Sequence, residues 1–217
     1  MPSDRQLLQS CLTPDRLRRL EAVLAARVAN VTVVLENLHK DYNISAIMRS
    51  CEAFGIQEVN VVPQPGEGRI FRSVTQGCHG WLTVHRHRDV ASCFRTLRGR
   101  GFRILAGVLG EGAVPLAEME FPGRVALVFS NELNGAGGEV TDKVDGSFII
   151  PLAGFSQSLN VSVAAGIALN RILEWKGQRA GEIERIPAGE AAKILEKWVR
   201  RSVKRSDAVL KELRSRR

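Results

Sequence analysis

Short apolar runs alternate along the chain with segments that carry helical spacing or turn residues. A run of a few β-branched residues between turn signals is typical of a buried strand. Because strands that alternate with helices usually lie parallel in one sheet, this pattern predicts an α/β fold with a mostly parallel sheet. The predicted strands are Val31–Leu35, Glu58–Val62, Trp81–His85, Phe102–Val108, Val125–Phe129 and Phe148–Ile150.

A helix is predicted after the first strand, over residues 44–54. Asn43 can cap its amino end through its side chain, and Gly55 stands directly after its last residue, where glycine is favoured. Arg49 lies outside the apolar stripe of this helix. A residue at such a position normally faces solvent, unless it has a function. The stripe consists of Ile44, Ile47, Met48, Cys51 and Phe54.

The stretch from Gly154 to Leu169 changes character at Asn160. Before Asn160 it is rich in glycine, serine and amide side chains, which is typical of a loop that offers free N–H groups to a ligand. After Asn160 nearly every residue is small or apolar, which predicts a helix packed closely against other backbone. The stretch therefore predicts a ligand loop docked onto a buried helix, with Asn160 as a suitable N-cap.

Both ends of the chain predict helices with one apolar face. Residues 4–28 predict an N-terminal helix broken at Pro14, and Glu190–Arg214 repeats apolar residues along one long C-terminal helix. Gly177–Gly189 predicts a connector. The chain is thus divided into an N-terminal helical extension, a central domain and a C-terminal helical extension. These parts are residues 1–30, 31–176 and 177–217.

Positive charge is concentrated in these extensions. The chain of 217 residues has a net charge of +8, and residues 1–30, 31–170 and 171–217 carry +2, −1 and +7. A near-neutral centre between basic flanks predicts that the ends bind a polyanion, although a solvated helix face explains the same composition. The basic residues expected to bind phosphate groups are Arg16, Arg18, Arg19, Arg200, Arg201, Lys204 and Arg205.

The cysteines and histidines indicate neither a disulfide framework nor a metal site. The four cysteines have no C-x-x-C spacing, and His85 and His87 have no visible third ligand. No apolar run approaches the roughly 20 residues of a membrane span, and the N-terminus lacks the apolar region of a signal peptide. The sequence therefore predicts a protein of the reducing cytoplasm, with no metal and no membrane partner.

Three polar segments stand where a plain α/β fold does not require them. Asn43–Arg49 reads N-x-S-A-I-x-R, and Ser130–Gly135 corresponds to a G-x-E-x-x-G turn after a strand. Ile150–Ala164 reads I-P-x-x-G-x-x-x-S-L-N-V-S-V-A, which is a nearly complete match to a third motif. With these motifs, in this order, the chain resembles the SpoU/TrmH branch of the SPOUT RNA methyltransferases over nearly its whole length.

The resemblance implies a topology and an activity that the residue pattern does not supply. The last part of the sheet would pass through a loop to form a deep trefoil knot, and two subunits would pair through the knot as a homodimer. The enzyme would use S-adenosylmethionine to methylate the ribose 2′-oxygen of guanosine 18 in the D-loop of tRNA. About 30 residues precede the first strand, too few for the separate substrate domain of many ribosomal-RNA relatives, which favours tRNA.

The resemblance also implies a cofactor pocket, residue by residue. This pocket would act through main-chain groups and apolar packing around the adenine ring. Ser130 stands where the family often has glycine, so the backbone there must accommodate a Cβ atom beside the cofactor. The implied cofactor-binding residues are Gly107, Ser130, Ile150, Leu152 and Leu159.

The implied catalytic set is Asn43, Arg49, Glu132, Ser158 and Asn160. Arg49 is its central residue. Because a guanidinium group stays protonated in proteins, we expect Arg49 to position the 2′-oxygen and a neighbouring phosphate rather than to act as a base. Asn43 and Glu132 would orient Arg49 or the ribose, while Ser158 and Asn160 fix the loop. Each residue also has a plain structural explanation, as a helix cap, a solvated side chain or a turn acid.

Two other functions fit the same motifs. One is 2′-O-methylation of a different tRNA site or of ribosomal RNA, which the basic extensions at both ends disfavour. The other is a non-catalytic RNA-binding relative, which the intact set of five polar motif residues disfavours.

Overall fold

The computed structural model describes residues 3–38, 40–63, 78–108, 112–130, 140 and 142–215, apart from the side chain of Cys78. The chain divides into two compact units. The sheet unit is Val28–Glu184, and the terminal unit combines Met1–Arg27 with Arg185–Arg217.

Within the described ranges, helices occur in both units. None of them is long and apolar enough to cross a membrane. The helices are α1 (Asp4–Gln9), α2 (Pro14–Ala25), α3 (Asp41–Ala53), α4 (Val90–Gly99), α5 (Val161–Gly177), α6 (Ala188–Ser202) and α7 (Ser206–Ser215).

The sheet unit is built on one parallel sheet with the strand order β3-β2-β1-β6-β4-β7-β5. Every neighbouring pair of strands is parallel, which confirms the predicted α/β fold. The strands are β1 (Val31–Glu36), β2 (Glu58–Val62), β3 (Thr83–Arg86), β4 (Phe102–Gly107), β5 (Val114–Pro115), β6 (Arg124–Ser130) and β7 (Gly146–Ile149).

Each strand predicted from the apolar runs is present, with its ends displaced by at most two residues. β1 and β6 lie at the centre of the sheet and are buried along nearly their whole length, which explains their continuous apolar sequences. β5 was not predicted, because a strand of two residues has no apolar periodicity.

Helices cover both faces of the sheet. Residues of α3 and α5 share one apolar core with one side of β1 and β6, and α4 forms a second core on the opposite face. Asn160 caps α5 by accepting a hydrogen bond from the Ser162 N–H, as predicted. The predicted burial of α5 is confirmed only in part, because Val163 and Ile167 are 50% and 41% exposed.

α3 begins three residues earlier than predicted. Its N-cap is Lys40, which makes no capping hydrogen bond through its side chain, and Asn43 lies inside the first turn. The predicted cap role of Asn43 is therefore wrong, and its buried amide has a different partner. Gly55 follows the C-cap residue Phe54 with a φ of +79°, which confirms the predicted end of the helix.

Within its described residues, the terminal unit contains two helices from each end of the chain, α1 and α2 from one and α6 and α7 from the other. The predicted break in the N-terminal helix at Pro14 is confirmed, because α1 ends at Gln9 and Pro14 opens α2, whose first turn is capped by the Thr13 hydroxyl. The predicted C-terminal helix is interrupted between α6 and α7, where Arg205 adopts a φ of +51°. Leu8, Trp198 and Val199 are fully buried in this unit.

Candidate active site

The carboxyl ends of four neighbouring strands meet at one edge of the sheet. β1, β6, β4 and β7 are adjacent and parallel, with Glu36 paired to Ser130 and Gly107 paired to Phe148. In open parallel sheets, ligands bind outside this edge near the point where the strand order reverses. We therefore take this edge as the candidate active site.

Three of the residues predicted to bind cofactor lie at this edge. Gly107 and Ser130 end β4 and β6, and Ile150 directly follows β7. The other two, the exposed Leu152 and the half-buried Leu159, lie in the loop of residues 150–160 between β7 and α5. Glycine at residue 107 leaves room for the Phe148 ring, because a Cβ atom there would lie 3.2 Å from the ring and would require it to shift by a few tenths of an ångström.

Two buried polar atoms near this edge lack a hydrogen-bond partner in the described part of the chain. They are the Ser130 hydroxyl and the side-chain oxygen of Asn37, which directly follows β1. Asn37 adopts a φ of +52°, a left-handed conformation that asparagine tolerates better than most residues. Unpartnered buried polar groups are rare, so both atoms are available to a polar ligand. Asn37 was not predicted as a site residue, because its only signal in the sequence is an amide at the end of a strand.

Asn43 and Asn160 are in direct contact although 117 residues separate them in sequence. The side-chain amide of Asn160 donates to the side-chain oxygen of Asn43 over 3.0 Å. The other end of the Asn160 side chain accepts from the Ser162 N–H (2.8 Å) and hydroxyl (2.6 Å). Asn160 is therefore both a helix cap and the link between the first turn of α3 and the start of α5.

The three other residues of the predicted catalytic set are Arg49, Ser158 and Glu132. Arg49 lies on the exposed side of α3, and Ser158 lies exposed in the loop of residues 150–160. Glu132 lies outside the described residues. Their roles stay predictions.

Some of the basic residues predicted to bind RNA contact other side chains of the terminal unit, and others are exposed. Arg200 is held within the terminal unit by ion pairs to Asp4 and Asp207. Lys204 and Arg205 are exposed in the turn between α6 and α7. Of the α2 residues, Arg16 reaches the Ser202 hydroxyl at 3.5 Å, Arg18 pairs with Asp15, and Arg19 is exposed.

A second polar cluster lies at the opposite edge of the sheet, where Glu58 begins β2. The Arg100 guanidinium group binds both carboxylate oxygens of Glu58, at 2.8 and 3.0 Å, while His85 stays 3.7 Å away. Burial raises the pKa of Glu58, but the contacts from His85 and Arg100 outweigh it and hold the pKa at about 2. No group of three His, Cys, Asp or Glu side chains in the described ranges is arranged to hold a metal ion.

Comparison with known proteins agrees with this geometry. A model of the SpoU rRNA methylase family matches residues 30–170. The tRNA (guanosine(18)-2′-O)-methyltransferase of Thermus thermophilus is 38% identical over 193 residues, which cover 87% of this chain and 98% of that protein.

Solved structures give the same result for the fold. The A. aeolicus TrmH/SpoU tRNA modifying enzyme superposes with a TM-score of 0.78 at 32% identity, covering 87% of this chain and 97% of that one. The SpoU methyltransferase AviRb from Streptomyces viridochromogenes, in complex with the cofactor AdoMet, has a TM-score of 0.63 at 20% identity, covering 82% of this chain and 67% of that one. The motifs, the parallel sheet and these matches agree, and the chain belongs to the SpoU rRNA methylase family.

Proposed function

We propose that this protein methylates the ribose 2′-oxygen of guanosine 18 in the D-loop of tRNA, with S-adenosylmethionine as methyl donor. The observation that carries the proposal is the similarity to the T. thermophilus tRNA (guanosine(18)-2′-O)-methyltransferase. That similarity covers 87% of the chain and so extends beyond the sheet unit into the terminal unit.

The carboxyl edge of the sheet offers chemistry that fits S-adenosylmethionine. The Ser130 hydroxyl and the Asn37 side-chain oxygen are buried without protein partners in the described residues, and can bond to polar groups of a ligand. Leu152 and Leu159 supply apolar surface from the adjoining loop. When bound, S-adenosylmethionine supplies a methyl group on a sulfonium, and the neutral thioether that remains after transfer is a good leaving group.

Two tasks are left to the protein. It must align the ribose oxygen, because a misplacement of about 1 Å in such a step can cost about 100-fold in rate. It must also let the 2′-hydroxyl proton leave as the O–CH3 bond forms, with the neighbouring phosphate or solvent as the acceptor. The bond between Asn160 and Asn43 fixes the loop of residues 150–160 against α3, the helix that carries Arg49. Arg49 would hold the 2′-oxygen and its neighbouring phosphate through its planar, permanently charged fork. Glu132 and Ser158 would orient Arg49 or the ribose.

The proposal includes a deep trefoil knot. Its support is the strand order. β4 and β5 follow one another in the chain and both precede β7, yet β7 lies between them in the sheet. After β7 the chain returns to the α3 face of the sheet as α5. A crystal structure in which residues 146–160 pass outside the loop that joins β4 to β6 would contradict the knot.

The proposal also includes a homodimer through the knot region, supported by exposed apolar residues on α5 and its loop. Val163 and Ile167 lie one turn apart on the exposed side of α5, and Phe155 is fully exposed in the loop. An apolar surface of this kind is typical of a subunit contact.

Ile167→Glu is expected to dissociate this dimer, because it buries an unpaired carboxylate in the contact. We expect the dimer dissociation constant to rise by at least about 30-fold, as for other central interface residues. Sedimentation velocity at micromolar concentration measures the change, with Val23→Glu in the terminal unit as the matched control. A wild-type monomer under the same conditions would contradict the proposed assembly.

The terminal unit is the proposed tRNA-binding part, and its basic residues should differ in effect. Lys204→Gln with Arg205→Gln is expected to weaken tRNA binding and to reduce the slope of log affinity against log salt by about 1 for each phosphate that is no longer bound. Arg200→Gln should reduce the slope less, because Asp4 and Asp207 already neutralise this guanidinium. Filter binding at several salt concentrations measures both, and equal slopes for all variants would assign these charges to solvent.

A cytoplasmic location is part of the proposal. Among the described side chains, Cys11, Cys51 and Cys93 form no disulfide bond. Burial raises the pKa of Cys93 to about 12, so this thiol stays protonated and unreactive.

The function is tested by incubating the protein with unmodified tRNA and methyl-labelled S-adenosylmethionine, and then mapping the label by nucleotide. Label on guanosine 18 is expected, and none on a matched tRNA that carries 2′-deoxyguanosine there, because that nucleotide lacks the acceptor oxygen. Label on another tRNA nucleotide or on ribosomal RNA would mean that the reaction is as proposed but that its substrate is different. Tight tRNA binding without any label would indicate a non-catalytic relative.

A further inference from the structure

The exposed side of α3 carries a row of residues beyond Arg49. Tyr42, Ala46 and Arg49 follow one another at spacings of four and three residues, and all three are exposed. At 1.5 Å per residue, Tyr42 and Arg49 lie about 10 Å apart along the helix axis. Tyr42 is the only tyrosine in the chain, and 58% of its surface is exposed.

The surroundings of the Tyr42 ring point to the active site. The next residue, Asn43, is buried and bonded to Asn160 at the start of α5, so Tyr42 belongs to the turn of α3 that is linked to the end of the loop of residues 150–160. The Lys40 ammonium lies 6.0 Å from the centre of the ring. A flat aromatic surface, an ammonium and a guanidinium are therefore presented along one side of one helix.

This combination matches the chemistry of a nucleotide in an unpaired RNA loop. Unstacked bases bind to exposed aromatic rings, and the adjoining phosphates bind to lysine and arginine side chains. A protein that reacts with one ribose in an unpaired loop has the attached base within reach, and an exposed ring there can stack on it. We propose that Tyr42 stacks on the base of the nucleotide that is methylated, with Lys40 contacting a phosphate beside it. This inference rests on the proposed function.

The test couples a change in the protein to a change in the RNA. Wild type, Tyr42→Ala and Tyr42→Phe are titrated, without methyl donor, against tRNA assembled from synthetic halves that carry either guanosine or an abasic ribose at position 18. Tyr42→Ala should weaken binding of the intact tRNA about 10-fold, the usual effect of losing one stacked base. Tyr42→Phe should bind like wild type, and all three proteins should bind the abasic tRNA equally.

The matched control is Phe54→Ala at the other end of α3, where the aromatic ring is 37% exposed but far from the loop of residues 150–160. It should bind both tRNAs like wild type. Sedimentation of Tyr42→Ala should match that of wild type, because the ring would contact RNA and not a second copy of the chain.

Three results would overturn the inference: no loss of binding in Tyr42→Ala, an equal loss on intact and abasic tRNA, or dissociation of a wild-type dimer by this substitution. The last would mean that the ring belongs to a subunit contact. Methylation mapping with the wild type separates this failure from failure of the proposed function. If the wild type labels guanosine 18 but the effect of Tyr42→Ala does not depend on the base at position 18, only the stacking proposal is wrong. If guanosine 18 is not labelled, both the stacking proposal and the proposed function are wrong.

Discussion

Arg49→Lys is expected to lower kcat for tRNA methylation by at least about 100-fold, while the affinity for tRNA changes only a few-fold. Lysine keeps the positive charge and so keeps most of the attraction to phosphate. It lacks the planar fork that can hold a phosphate oxygen and the ribose oxygen in one fixed geometry. The loss should therefore appear in the chemical step, and single-turnover kinetics with saturating tRNA measure it directly.

The matched control for this substitution is Arg95→Lys. Arg95 is also an exposed arginine in the middle of a helix, but α4 lies on the opposite face of the sheet from α3. Arg95→Lys should leave kcat unchanged. Near-normal turnover by Arg49→Lys would exclude a specific role for the guanidinium fork, and a loss that appears only in tRNA affinity would make Arg49 a binding residue.

The sheet could be predicted from the sequence because its strands are short, apolar and separated by turns. β1 and β6 are buried on both faces, so their sequences are continuous runs such as Val31–Leu35. The order of the strands could not be read in the same way. It depends on which edges meet in three dimensions, and the insertion of β7 between β4 and β5 leaves no local signal.

The candidate site was predicted through its motifs. Local sequence is misleading at residues whose surroundings are set by a partner far away in the chain. Asn43 has the sequence context of an N-cap, but Asn160 takes up its side chain and the helix begins at Asp41. Lys176, in the last turn of α5, has the sequence context of a surface lysine. It is fully buried, and its ammonium donates to the Gly123 carbonyl over 2.6 Å. Neither contact is visible in local spacing.

The ion pair between Glu58 and Arg100 should be a main electrostatic contribution to the stability of the sheet unit. Glu58 is buried at the start of β2, and the guanidinium group of Arg100 also lies 5.3 Å from the centre of the Phe102 ring. Arg100→Met would leave the carboxylate buried with only the His85 imidazole beside it, 3.7 Å away. Because Arg100 is about one-third exposed, we expect a loss of about 2 kcal/mol in the free energy of unfolding at pH 7, between the values for surface and buried pairs.

The pH dependence of this loss follows from the pKa of Glu58, which is about 2 in the folded protein against 4.5 for an unperturbed glutamate. A carboxylate with a lowered pKa stabilises the fold fully above pH 4.5, and this contribution is lost as the pH falls towards 2. The difference between wild type and Arg100→Met should therefore be largest at neutral pH and shrink below pH 4.5. Urea unfolding at pH 7 and at acid pH measures it.

Two further variants separate the buried pair from surface charge in general. Glu58→Gln combined with Arg100→Met should recover much of the stability, because no buried charge then lacks a partner. Arg98→Met, which removes the more exposed pair with Asp145, should cost no more than about 1 kcal/mol. If Arg100→Met were no more harmful than Arg98→Met, or equally harmful at every pH, the lowered pKa of Glu58 would have another cause than its contact with Arg100.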